Sequence, residues 1–136
     1  MPSVEIPYGK FDYDPSTNIL TCRIKQEQTV DIEEINSMLV AVENLIGPKR
    51  HYAMVDFGSN LQSTTEARKI YADAKYLHAF RMADAFLVRS LAVRLVANFF
   101  INVTKPKVRT RLFTEEAKAY AWLEALKKKE GTQLPI

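Results

Sequence analysis

The chain has 136 residues, 47% hydrophobic and 26% charged, a composition that suits one globular domain with one full core and lies far from the low-hydrophobicity, high-charge signature of a disordered chain. Four glycines leave little for a phosphate-cradling loop, and one cysteine with two histidines excludes a disulfide framework or a dedicated zinc cluster. Nineteen basic against sixteen acidic residues give a net charge of +3, a nearly balanced surface that makes no case for nucleic-acid binding.

Residues 9–25 read as a hairpin. Phe11 and Tyr13 alternate with Lys10, Asp12 and Asp14, then Leu20, Cys22 and Ile24 alternate with Thr21, Arg23 and Lys25, and Asp14 to Asn18 supply turn chemistry. From Asp31 the period lengthens, and Ile32, Ile35, Leu39, Val42 and Ile46 line one side of a helix capped by Thr29 or Asp31 and closed by Gly47-Pro48. The unbroken run from Tyr52 to Phe57 predicts a central strand covered on both faces. A loop over 58–62 follows, and Ser63 to Glu66 have capping-box spacing, with Ser63 as the cap of a helix reaching about Ala79. Residues 83–88 predict another buried strand, Ser90 an N-cap, and 91–101 a helix. Lys105-Pro106-Lys107 breaks the chain, residues 108–113 alternate as a last strand, and Thr114 to Glu116 open a closing helix presenting Ala119, Trp122, Leu123 and Leu126.

The order β-β-α-β-α-β-α-β-α predicts a mixed, mostly parallel sheet with helices packed on it, as one domain over 1–136 with a core of about 9–126. With Val55-Asp56-Phe57 ending the central strand, and Arg111-Leu112-Phe113-Thr114 followed by Glu115-Glu116, Ala119 and Trp122-Leu123, the chain resembles the STAS family in its small bacterial SpoIIAA-like, STAS/SEC14-like branch. That resemblance implies a SpoIIAA-like α/β fold and a non-enzymatic regulatory or protein-interaction role like that of the anti-sigma-factor antagonists. In regulatory members a serine at the start of the helix after the central strand is phosphorylated; Ser63, Thr64 and Thr65 stand at the matching turn, without the family's preceding Asp and following Gly. The alternative implied by the SEC14-like branch is a binding module for a lipid or other small apolar ligand.

The residues themselves offer little chemistry. Cys22 falls on the inward alternation of a strand, His51 and His78 lack partners at metal spacing, and no nucleophile-base pair or cofactor motif is present, so no catalytic residue, metal or cofactor is expected. Asp56 is singled out because ligands of open α/β sheets gather beyond the strand ends. The helix from Leu91 is apolar nearly all round, beyond what one sheet-facing stripe requires. Val96, Phe99 and Phe100 are therefore candidates for contact with another protein, a second copy of the chain or an apolar ligand, with Phe99 expected inward and Phe100 outward. Lys105, Lys107, Arg109 and Arg111 recur at period two and are expected on one side, as guards of an edge strand. The apolar tract Leu91 to Val103 is too short and too interrupted to span a membrane, and a start without a basic, apolar leader, beside an unpaired cysteine, leads to the expectation of a cytoplasmic protein.

Overall fold

The computed structural model describes residues 2–25, 29–58 and 62–133. Its centre is a six-stranded sheet in the order β1 (Ser3–Ile6), β2 (Gly9–Asp14), β3 (Ile19–Ile24), β5 (His51–Asp56), β7 (Arg81–Leu87), β8 (Arg109–Phe113). The first three strands are antiparallel and the last three join in parallel, each reached through helices that cross the sheet. Asn18, in the left-handed region at φ 59°, closes the β2–β3 hairpin; it accepts a hydrogen bond from Tyr13 Oη at 2.6 Å and donates one to the Arg50 carbonyl at 3.0 Å. A two-residue pair, β4 (Thr29–Val30) with β6 (Gln62–Ser63), stands apart.

Period-two alternation assigns side chains to two layers. On one face Phe11, Leu20, Cys22, Val55 and Phe86 meet α1 (Ile32–Ile46), α2 (Thr65–Asp73) and Phe100. On the other, Ile19, Met54, Ala85 and Leu87 meet Ala119, Leu123 and Leu126 of α5 (Glu116–Gln133). A short α3 (Lys75–Phe80) follows α2, and α4 (Leu91–Phe99) runs into a five-residue π-turn, Phe100–Thr104, which Lys105 ends at φ 57°.

Several expectations require correction. A first strand, β1, joins the hairpin. The helix expected from Ser63 to Ala79 is two helices, because Ala74 turns to an extended ψ of 122°. Ser63 does not cap α2: pairing with Val30 draws it into β6, and Thr64 caps instead, its hydroxyl accepting from Ala67 N at 3.1 Å. That hydroxyl also donates to Asp31 Oδ1 at 2.9 Å, and Asp31 caps α1 with Glu34 completing a capping box, so the two helix starts are tied together. Of the loop expected over 58–62, residues 59–61 lie outside the described residues and Gln62 belongs to β6. Arg109 and Arg111 share one side of the edge strand β8, whereas Lys105 and Lys107 precede it.

A buried polar network sits inside the first layer. Arg81 and Asp84 form an ion pair of 2.6 Å with side chains 2% and 0% exposed. Tyr71 Oη donates to the second carboxylate oxygen at 2.7 Å and accepts from Arg81 at 3.2 Å, while Arg81 Nε donates to His51 Nε2 at 2.9 Å. The other imidazole nitrogen faces the Lys49 carbonyl at 2.9 Å, which makes Nδ1 the protonated one. Burial and the neighbouring guanidinium push the His51 pKa down from 6.5 to about 3. The unfolded chain therefore takes up a proton near pH 6.5 that the folded chain refuses, so this stability is present above that pH and lost as pH falls towards 3. Urea unfolding at pH 7.0 and 5.0 should show a loss on the order of 2 kcal/mol in the native chain, at ~1.4 kcal/mol per pH unit, and little change in His51→Gln; equal pH dependence in the two would contradict this.

Candidate functional site

The strands β3, β5 and β7 end together at one edge of the sheet, where α1, α2 and α4 begin. Asp56, at the end of β5, accepts from Arg23 Nη1 at 2.8 Å and Arg89 Nη2 at 3.3 Å on one oxygen and from Gly58 N at 2.9 Å on the other. Burial alone would raise its pKa, but the hydrogen bonds from Arg89 and Gly58, with the nearby positive charges, hold it below the usual carboxylate value. Arg23 also pairs with Glu116 at 2.8 Å. Asp56 thus fastens the start of α5 and the residues after β7 to the sheet edge, and its lone pairs are engaged in doing so.

The three hydroxyls of the neighbouring turn have separate surroundings. Ser63 Oγ accepts from Arg68 Nη1 at 2.8 Å, Thr64 joins the two helix caps, and Thr65, exposed, accepts from Arg68 Nη2 at 3.2 Å. Arg68 Nη1 also donates to the Ser63 carbonyl at 2.6 Å. Sequence reasoning did not single out Arg68, one of many charged residues on helices.

Between α1, α2, α4 and the sheet lies a half-open cleft of about 110 Å³. Met38, Val55, Ala67, Phe86, Ala97 and Phe100 contribute apolar walls, Val96 stands at its side, and Ser63, Arg68 and Tyr71 are the lining residues with side-chain polar atoms. Tyr71 already serves Asp84 and Arg81, and burial raises its hydroxyl pKa well above 10.

Helix α4 has two unlike sides. Ser90 caps it, with Val93 N at 3.2 Å from its hydroxyl, and Val93, Ala97 and Phe100 are buried. Leu91, Leu95 and Phe99 of α4 and Val103 of the following π-turn are 52–67% exposed at a spacing of four, with Val96 beside them at 42%. The expected order of the two rings is reversed: Phe100 is 4% exposed and packs with Tyr71 and Phe86, centroids 6.0 and 5.9 Å away, whereas Phe99 is on the outside. Of the remaining candidates, Cys22 is buried with its thiol pushed up to about 12 by desolvation, and His51 belongs to the internal network. Among the described residues no group of three or more His, Cys, Asp or Glu side chains could hold a metal ion, and no helix is long and apolar enough to cross a membrane.

A mixed, mostly parallel sheet with an antiparallel opening hairpin and helices on both faces is an α/β domain of SpoIIAA-like fold. A solved structure supports this: the chain is similar to an uncharacterized protein of the DUF3478 family with a SpoIIAA-like fold from Shewanella loihica PV-4, at 17% identity and a TM-score of 0.59, over 89% of this chain and 98% of that one. Residues 13–127 match the family model described as Domain of unknown function (DUF7793), and the chain belongs to that family. A protein with unknown function from Arthrobacter sp. FB24 is also similar, at 23% identity over 88% of this chain and 95% of that one, with a TM-score of 0.31. No curated protein matches.

The reversed rings have unequal consequences. Phe100→Ala should cost ~3–5 kcal/mol in urea unfolding, whereas Phe99→Ala should stay within about 0.5 kcal/mol of the native chain. Equal losses would place both rings in the core.

Proposed function

We propose that the chain is a non-enzymatic interaction module that binds another protein through the outer side of α4. The observation that carries this reading is the exposed row Leu91, Leu95, Phe99 and Val103, a contiguous apolar ridge on a helix whose opposite side already fills the core. Its setting adds the partner's chemistry: between Asp84 and Glu115 the sequence has six basic residues and no acidic one, and all six are exposed. Arg94 lies within the helix beside Leu95, Arg89 precedes it and Lys105 follows the π-turn. An apolar ridge with a cationic rim fits an amphipathic element with acidic flanks, the apolar contact supplying affinity and the charges orientation and rate.

The groups with most chemical potential support a role without turnover, since Cys22 is sealed in the core, His51 is tied to Lys49 and Arg81, and Asp56 is held by two arginines. The lone cysteine suits a reducing, cytoplasmic location. A photo-crosslinking residue at position 99, introduced in the native cells, should capture one discrete protein with an acidic segment at the crosslink. Capture should be lost in Leu95→Glu and weakened in Arg94→Glu and by added salt, with thermal unfolding of both variants unchanged. Crosslinks to the chain's own copies, to anionic lipid, or insensitive to Leu95→Glu would overturn the reading.

A further inference from the structure

The sheet has an open end that the ridge on α4 does not use. β1 forms one edge of the sheet, and α4 packs at the other, beside β8. Tyr13 N donates to the Pro2 carbonyl at 2.8 Å, so in the β1–β2 register Pro2, Val4 and Ile6 turn their backbone groups towards β2. The intervening Ser3 and Glu5 therefore turn their N–H and C=O groups away from the sheet, and no described hydrogen bond fills them. On the α1 side, Val4 and Ile6 line a shallow groove with Val40, Ala41 and Leu45. Val40 is 57% exposed there, and Glu33 is the one charged residue in the lining. The Ser3 and Glu5 side chains lie on the opposite face, both exposed, with Glu5 paired to Lys25 at 3.0 Å.

We infer that this edge pairs with a second copy of the chain, β1 against β1 and antiparallel, about a two-fold axis through Val4. Few registers let the outward groups meet. Glu5 opposite Glu5 sets like charges face to face, and Ser3 opposite Ser3 leaves both Glu5 residues without a partner. Ser3 opposite Glu5 of the second copy fills every outward group of both residues, sets Val4 against Val4 on the groove face and sets a hydroxyl against a carboxylate on the other face. The groove of one copy then continues into that of the other and covers Val40. A strand that reads the same in both directions about its own centre is matched by a second copy of itself, which is the requirement of a two-fold interface. Pro2 and Pro7 flank β1 and stop the pairing from running on, while exposed Arg109 and Arg111 guard the far edge, so the assembly closes as a dimer. This inference is independent of partner docking on the outer row of α4.

Sedimentation equilibrium of the full chain at about 100 μM should give a dimer. Glu5→Pro removes one outward N–H and spares the bonds to β2, so it should weaken association at least tenfold while the circular dichroism stays that of a folded chain. Glu5→Gln keeps that N–H and should associate as the native chain does. Oxidation reads the register: Val4→Cys should form a disulfide-linked dimer at least tenfold faster than Ser3→Cys, because directly opposed residues of a non-hydrogen-bonded pair have Cα atoms about 4.5 Å apart, within disulfide reach, whereas Ser3 faces Glu5. If Glu5→Pro does not fold, sedimentation of the native chain and the two cysteine variants decide alone. The inference is overturned if the native chain is a monomer, if folded Glu5→Pro associates as tightly as the native chain, or if Ser3→Cys links as fast as Val4→Cys.

Discussion

Two opposite charges buried side by side tolerate few geometries. Arg81 and Asp84 lie on one strand beneath the helical layer, and withdrawing them from water is costly unless every donor and acceptor finds a partner. The partners come from different elements: Tyr71 from α2 and His51 from the neighbouring β5. Satisfying the pair therefore fixes how α2 sits on the sheet and how β7 aligns with β5, where the register shifts between His51 and Tyr52. Among the described residues no buried side-chain polar atom is left without a partner, so the network is closed.

The functional surfaces inherit that placement. Tyr71 is both a member of the network and a wall of the cleft, and its ring meets Phe86 and Phe100, the inner anchor of the segment after α4. Phe100 opens the π-turn, so the same contact that closes the core determines which side of α4 is turned outward. Asp56 performs the corresponding task at the sheet edge by gathering Arg23 and Arg89, and Asp31 with Thr64 does so at the two helix starts. The cleft and the ridge are thus opposite sides of one short helix, bounded by a rigid sheet on the inside and by solvent on the outside.

Much of this architecture is legible in the sequence because it rests on periodicity. The alternation around Phe11 and Cys22, the three- and four-residue steps through Ile35 and Val42, and the solid apolar run of β5 each specify an element with little help from the rest of the fold. What escapes is decided by tertiary contact. β1 has only four residues and half of them are exposed, so its alternation is too brief to register. The apolar spacing runs on through Ala74 to Leu77 and conceals the break between α2 and α3. Ser63 and Thr64 are equally good caps by type, and only strand pairing with Val30 decides between them. Phe99 and Phe100 differ by ~100° of helix rotation, which local sequence does not fix. The candidate site was legible in part: the helix from Leu91 was marked by its excess apolar surface, whereas Arg68 was not. The sequence does carry a signal for the buried pair, since charged Arg81 and Asp84 within an apolar strand run must be satisfied internally.

A double-mutant cycle on the buried pair tests the dependence of the fold on it most directly. Asp84→Leu and Arg81→Met should each cost ~3–5 kcal/mol in urea unfolding, because each leaves an uncompensated buried charge, and the double variant should recover most of one of these losses. In the double variant, Phe99 should remain exposed and Phe100 protected if apolar packing restores the same seating of α2. Two small, additive losses would contradict the account, since they would mean that the helical layer is positioned without the pair.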